Sequence, residues 1–156
     1  MTDYPMLTLN DGRQLPQIGF GTYQIDNDKA AEAVRTAVDV GYKMVDTAAV
    51  YQNEDGVGDG LTETPDIFLQ TKIWNASQGY DRTLKAADKC LDRLGRDNVD
   101  MLLIHWPCPE KGLFVETWKA LIELRDQGKA KSIGVSNFRT EDLKRIADET
   151  GVTPAL

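Results

Sequence analysis

Three consecutive stretches decide the fold: Ile67-Phe-Leu-Gln-Thr71, the stripe Leu84, Ala87, Leu91, Leu94, and Val99-Asp-Met-Leu-Leu-Ile-His105. The first and third are apolar runs of strand length. The middle one recurs at three- and four-residue spacing, the signature of a helix with one buried face, and Gly95 follows it as a stop. Strand, helix and strand in that order read as a parallel pair with a crossover helix.

The same rhythm extends in both directions. Further strand candidates are Ile18 to Thr22, Met44 to Thr47 and Ser132 to Val135. Helical stripes run through Ala30, Ala33, Val34, Ala37 and Val38, through Phe114, Trp118, Leu121 and Ile122, and through Leu143, Ile146 and Ala147. Asp28, Asp81 and Thr140 stand where N-caps belong, and Gly41, Gly128 and Gly151 join Gly95 as C-terminal stops. Glu54 to Leu61 reads as a weaker helix, because Gly56, Gly58 and Gly60 all oppose it. At the start, Met6 to Leu9 and Gln14 to Ile18 flank Asn10-Asp11-Gly12-Arg13, a hairpin with Asp-Gly turn chemistry. No linker or composition break divides the chain. Residues 1–156 are therefore read as one domain, a hairpin over 1–18 followed by five βα units over 19–156.

Composition narrows the function. The 156 residues carry 18 Lys+Arg against 25 Asp+Glu, a formal charge of −7, with 41% hydrophobic residues. That is the balance of a globular chain with a real core, and the acidic excess argues against a nucleic-acid partner or an anionic membrane surface. A run of about 18 or more apolar residues is absent, so no membrane span is expected, and residues 1–16 lack the apolar stretch of a signal peptide. Cys90 and Cys108 are too few and too far apart for a disulfide framework and read as reduced thiols of a cytoplasmic protein. One histidine, His105, leaves no His-rich metal site, and no metal is expected.

Five βα units fit either an open doubly wound sheet or part of a (βα)₈ barrel. Length alone favours the open sheet, since a full barrel takes roughly 250 residues. A dinucleotide-binding open sheet wants G-x-G-x-x-G after its first strand, however, and Gly19-Phe-Gly21 is followed by Thr22-Tyr23-Gln24 without the third glycine.

The strand ends carry the chemistry. Asp46, Lys72, His105 and the pair Ser136-Asn137 each close an apolar run, and carboxyl ends of parallel strands are where such folds place their sites. By strand alternation Phe68, Gln70 and Lys72 share one face, as do Met101, Leu103 and His105. Facing one cavity, Lys72 needs a counter-charge, and Asp46 one strand over is the natural one. Tyr51 lies five residues past Asp46. Each has a plainer reading: core histidine, structural ion pair, packing aromatic. Their convergence at one end of neighbouring strands favours general acid catalysis by the tyrosine, with an ammonium lowering the phenol's pKa from about 10. His105 would then orient a carbonyl oxygen. With no evident nucleophile or metal set, the electrons must come from outside, and a nicotinamide hydride is the simplest source.

Five segments in order resemble the signatures of the aldo-keto reductases, in a form similar to bacterial members: Gly19-Phe-Gly-Thr-Tyr23, Asp46-Thr-Ala-Ala-Val-Tyr-Gln-Asn-Glu54, Thr71-Lys-Ile-Trp74, Leu103-Ile-His-Trp-Pro107 and Ile133-Gly-Val-Ser-Asn-Phe138. The resemblance implies a (βα)₈ barrel closed below by the hairpin, and reduction of small aldehydes or ketones with NADPH. It implies that Tyr51 donates the proton, Lys72 lowers its pKa, Asp46 pairs with Lys72, and His105 orients the substrate. Gly21, Thr22, Asp46, Ser136 and Asn137 would border the cofactor, the last two holding the carboxamide. Tyr23, Trp74, His105 and Trp106 would line the substrate pocket. The short stretch from Pro107 to Phe114 implies small or polar carbonyls.

The chain departs from the family pattern at Thr153-Pro-Ala-Leu156, where a sixth strand would begin. Against the family, three units are missing. With them go a glutamine and an aromatic at the nicotinamide and a basic segment for the adenosine phosphate, so the cofactor site is expected to be incomplete. The link from Leu61 to Asp66 is also a few residues short. A five-strand piece should leave unpaired edges and uncovered barrel-facing side chains, and so self-associate, aggregate or flatten. Two other functions compete: a non-catalytic fragment that binds a partner, and a Schiff-base lyase using Lys72.

Overall fold

The structure is a computed structural model that describes residues 4–156. The hairpin comprises β1 (Met6–Thr8) and β2 (Gln14–Pro16), antiparallel with Leu7 opposite Leu15. Then come β3 (Phe20–Gly21), α1 (Asn27–Asp39), β4 (Met44–Asp46), α2 (Glu54–Gly60), β5 (Phe68–Ile73), α3 (Tyr80–Leu94), β6 (Val99–Ile104), α4 (Phe114–Asp126), β7 (Ala130–Val135) and α5 (Thr140–Thr150). Strands β3 to β7 form one parallel sheet in sequence order. That order belongs to a barrel; a doubly wound sheet would reverse direction at a switch point.

Between sheet and helices lies an apolar core. Val45, Leu69, Ile73, Leu102, Ile104 and Ile133 project outward from the strands, against Val34, Val57, Leu91, Leu94, Trp118, Leu121 and Ile146. Each large side chain so enclosed contributes about 1.5–3 kcal/mol. Trp118 is fully enclosed, and its indole N–H donates to the Val152 carbonyl, tying α4 to the chain after α5.

Helix α2 forms despite its three glycines, for a tertiary reason. A methyl at Gly56 would lie 2.3 Å from the Asn27 carbonyl, one at Gly58 2.5 Å from the Leu94 carbonyl, and one at Gly60 2.8 Å from Val34. Missing side chains thus let α2 wedge between α1 and the end of α3. Glu54, wholly buried at its start, accepts from Thr71 at 2.6 Å and pairs with Arg93 at 2.5 Å. Beside this pair, burial pushes the Cys90 thiol up to about 12.

Several boundaries move from the sequence reading. Strand β3 shrinks to two residues, while β5 runs through Ile73 and takes Lys72 into the ladder. Helices α1, α3 and α5 start earlier than Asp28, Asp81 and Thr140 imply: their N-caps are Asp26, Gly79 and Arg139. None of the three acidic or hydroxyl residues is a cap, because each already lies in the first turn, where an acid still complements the helix dipole.

The expectation of bare barrel-facing side chains is corrected. Met44, Gln70, Lys72, Met101, Leu103 and Ser132, all on the concave face, are buried. A curled sheet converges the side chains of its inner face, and both ends of the chain contribute cover. The amide of Asn10 in the hairpin turn donates to the Pro154 carbonyl at 2.8 Å, and Ser132 donates to Asp11. Residues 155–156 lie along β7: Ala155 N–H donates to Ile133 at 2.9 Å and Val135 N–H to Leu156 at 2.8 Å. The last strand is thus partly paired. Among the described residues, no helix is long and apolar enough to cross a membrane.

Candidate active site

Asp46 closes β4, with Gly21 of β3 on one side and Gln70 of β5 on the other. Lys72 stands on the same face as Gln70, one pleat further on, so its stem reaches back to the Asp46 carboxylate. Lys72 Nζ lies 2.6 and 2.7 Å from the Asp46 oxygens and 2.9 Å from the Thr47 carbonyl. Three acceptors take all three ammonium protons. Gln70 Nε2 donates to Asp46 Oδ1 at 2.6 Å. The sequence reading paired Asp46 with Lys72 but gave Gln70 no role; its two-residue offset from Lys72 was the available signal.

Tyr51 ends a 3₁₀ turn, Ala49–Tyr51, in the loop after β4. Its ring centre lies 5.2 Å from Lys72 Nζ, 5.2 Å from the Tyr23 ring and 5.8 Å, edge-on, from the His105 ring. His105 follows β6 directly, and Trp74 packs against it at 5.2 Å. These rings, with Gln24, Val50 and Trp106, line a cleft of about 530 Å³ at the carboxyl end of the sheet. Asp46 and Lys72 are not among its lining residues.

The electrostatics correct one expectation. Burial pushes the Tyr51 phenol up from its ordinary value, and the carboxylate of Asp46 pushes it further, with Tyr23 adding to both. The Lys72 ammonium does not outweigh them, and the net shift of the phenol is upward. The phenol is therefore protonated at neutral pH. His105 moves the opposite way: burial first, then the nearby Lys72 ammonium, lower its pKa from 6.5, against an upward pull from Asp46. Its imidazole is neutral at pH 7, and its Nδ1 is buried without a hydrogen-bond partner among the described residues.

The remaining candidates divide. Asn137, in a left-handed conformation (φ 62°), donates from Nδ2 to the His105 carbonyl and to Ser136 Oγ, both at 2.9 Å. That fastens the β7 end to His105. Tyr23 and Trp106 are exposed at the cleft. Thr22, expected at the cofactor border, is instead fully buried, with its N–H and hydroxyl both directed to the Asp46 carbonyl. Its neighbours Gly21 and Tyr23 are exposed. Gln78, not singled out in the sequence, is buried and donates to the Trp106 and Pro107 carbonyls at 2.7 and 3.3 Å, setting the loop that carries Trp106. No periodicity or motif marks it; only the fold brings the two loops together.

Comparisons with known proteins bear on the family and the fold. The family model described as "Aldo/keto reductase family" matches residues 17–156. An aldo-keto reductase of Mycolicibacterium smegmatis is 49% identical over 97% of this chain, and methylglyoxal reductase DkgA of Escherichia coli is 41% identical over all of it. The chain spans 57% and 58% of those two proteins, a little over half their length. Among solved structures, an aldo/keto reductase from Brucella melitensis superposes with a TM-score of 0.95 at 54% identity, covering 99% of this chain and 62% of that one. A point mutant of Gox0644 in complex with NADPH superposes with a TM-score of 0.95 at 51% identity, covering 97% of this chain and 56% of that one. Five curled parallel strands, an Asp–Lys pair beneath a tyrosine and a histidine, and a family match over nearly the whole sequence lead to one assignment: the chain belongs to the aldo/keto reductase family.

Proposed function

We propose that the protein reduces small aldehydes or ketones with a hydride from NADPH, and that Tyr51 supplies the proton. The observation that carries this is the placing of Tyr51 and His105 on one wall of the cleft, above a lysine whose protons all go to Asp46 and Thr47. A protonated phenol and a neutral imidazole offer two donors to one carbonyl oxygen, and Tyr51 can release its proton as that oxygen becomes an alkoxide. Trp74 holds His105 edge-on, and the open walls Tyr23 and Trp106 leave room for a small substrate. The name of DkgA suggests methylglyoxal as a first substrate to try.

The residues at the end of β7 fit the carboxamide of the nicotinamide. Asn137 uses its amide N–H groups on His105 and Ser136, which leaves Asn137 Oδ1 as an acceptor and the Ser136 hydroxyl as a donor. A primary amide needs that complementary pair. Bound there, NADPH would supply the hydride.

The test is NADPH oxidation followed at 340 nm with methylglyoxal, comparing wild type with Tyr51→Phe. Loss of a proton donor should lower kcat by about 10²–10⁴. An undiminished rate in the phenylalanine variant would overturn the role of Tyr51.

The lyase reading is disfavoured by Lys72 itself. An amine nucleophile needs a free lone pair, whereas this ammonium is committed to three acceptors. The reading as a non-catalytic, self-associating piece has one observation behind it. Among the described residues no strand pairs with the outer edge of β3, and Phe20, edge-on to Tyr42, borders an open groove of about 460 Å³. Sedimentation velocity tests it, since association through that edge gives a concentration-dependent coefficient. We assign the protein to the cytoplasm on its two free thiols.

A further inference from the structure

We propose that Asn53 is a positioning residue that sets the width of the cleft by holding the Thr22–Ile25 turn, and with it Tyr23, against Tyr51. The role in catalysis rests on the reading given under Proposed function; the contact itself does not.

Asn53 occupies the N-cap of α2, where an asparagine oxygen ordinarily accepts from the second or third helical amide. Here it makes no such bond. Its side chain, fully buried, turns the other way: Nδ2 donates to the Thr22 carbonyl at 2.8 Å and the Ile25 carbonyl at 2.9 Å, while Oδ1 accepts from the Thr47 hydroxyl at 2.9 Å. The cap it forgoes comes from a neighbour, since Asn27 Oδ1 accepts from the Gly56 N–H at 2.9 Å. Two asparagines are thus exchanged between α1 and α2, and the one on α2 serves the turn.

That turn needs support. Gln24 within it is left-handed, at φ 63°, which is unfavourable for a residue with a side chain. Its closing bond is Ile25 N–H to the Thr22 carbonyl at 3.1 Å. Asn53 ties both ends, bracketing Tyr23 and Gln24, which line the cleft. Tyr23 is 66% exposed, and the Tyr51 ring at 5.2 Å is its aromatic neighbour. Thr22 is also tied to the Asp46 carbonyl, but at the Ile25 end the brace is the Asn53 amide.

The experiment uses the 156-residue chain, with amide exchange and proton NMR. Asn53→Asp keeps the acceptor for Thr47 and removes both donors. The Ile25 amide should then exchange about tenfold faster or more, and the Tyr23–Tyr51 ring-to-ring cross-peaks should vanish, while core amides such as Leu102 stay protected. Asn27→Ala, which removes only the cap, should leave those cross-peaks intact. Unchanged Ile25 exchange or retained cross-peaks in Asn53→Asp overturns the proposal. Should that variant unfold, Thr47→Val decides: freed of its orienting donor, Asn53 should hold the turn less well and speed Ile25 exchange about threefold, and no change is again a refutation. None of these readouts needs turnover, so an active Tyr51→Phe enzyme would sink the tyrosine mechanism and leave this result standing.

Discussion

Lys72 grips both carboxylate oxygens of Asp46, at 2.6 and 2.7 Å, while its Nζ lies 5.2 Å from the centre of the Tyr51 ring. The lysine's side chain is 7% exposed and the aspartate's 26%. The pair lies behind the residues that line the cleft, and the phenol beside it is raised rather than acidified.

Breaking that pair from the acidic side should be costly. Asp46→Asn leaves a buried ammonium without its counter-charge, a loss of about 3 kcal/mol, at the low end of the range for buried pairs because Asp46 is partly exposed. The double variant Asp46→Asn with Lys72→Met removes the stranded charge and should lose less. Urea denaturation of the three proteins reads both outcomes.

The titration of Tyr51 should follow Asp46. With the carboxylate gone and the ammonium released, Asp46→Asn should move the phenol to lower pH, as seen by the difference in ultraviolet absorbance against the same variant carrying Tyr51→Phe. The raised phenol also has a stability consequence. The unfolded chain loses this proton first, so the contribution is full below pH 10 and disappears as pH rises through the folded value. Tyr51→Phe should flatten the alkaline limb of a melting-temperature profile.

His105 predicts the acid limb. Its folded pKa lies below 6.5, so the unfolded chain binds the proton more readily. Stability from the neutral imidazole is present above pH 6.5 and is lost as pH falls through the folded value. His105→Gln should remove that component, and thermal melts between pH 7 and 5 in steps should show a shallower decline than wild type.

Gly58→Ala should destabilise the chain although alanine favours helices. The added methyl would sit 2.5 Å from the Leu94 carbonyl oxygen, a backbone atom with nowhere to go. Overpacking of about 1–3 kcal/mol outweighs a propensity gain of at most about 1 kcal/mol. A melting temperature at or above wild type would contradict the wedge role of α2.

The sequence alone was enough for the βα order, the hairpin and the stop glycines. Gly41, Gly95, Gly128 and Gly151 all adopt positive φ, and local periodicity and glycine's freedom at helix ends are properties a short window contains. Asp46, Lys72 and His105 stood out as candidates because strand alternation is contained in the same windows, and Tyr51 because it lies just past Asp46. Tertiary structure decided the rest. The glycines of α2 looked like defects until α1 and α3 closed on them, and Asn53, Gln70 and Gln78 owe their roles to partners twenty-four to thirty-one residues away. Most of all, the sign of the Tyr51 shift depended on the burial of its phenol and the nearness of the Asp46 carboxylate. Charge in a buried site acts through distance and solvation, and neither is written in the order of residues.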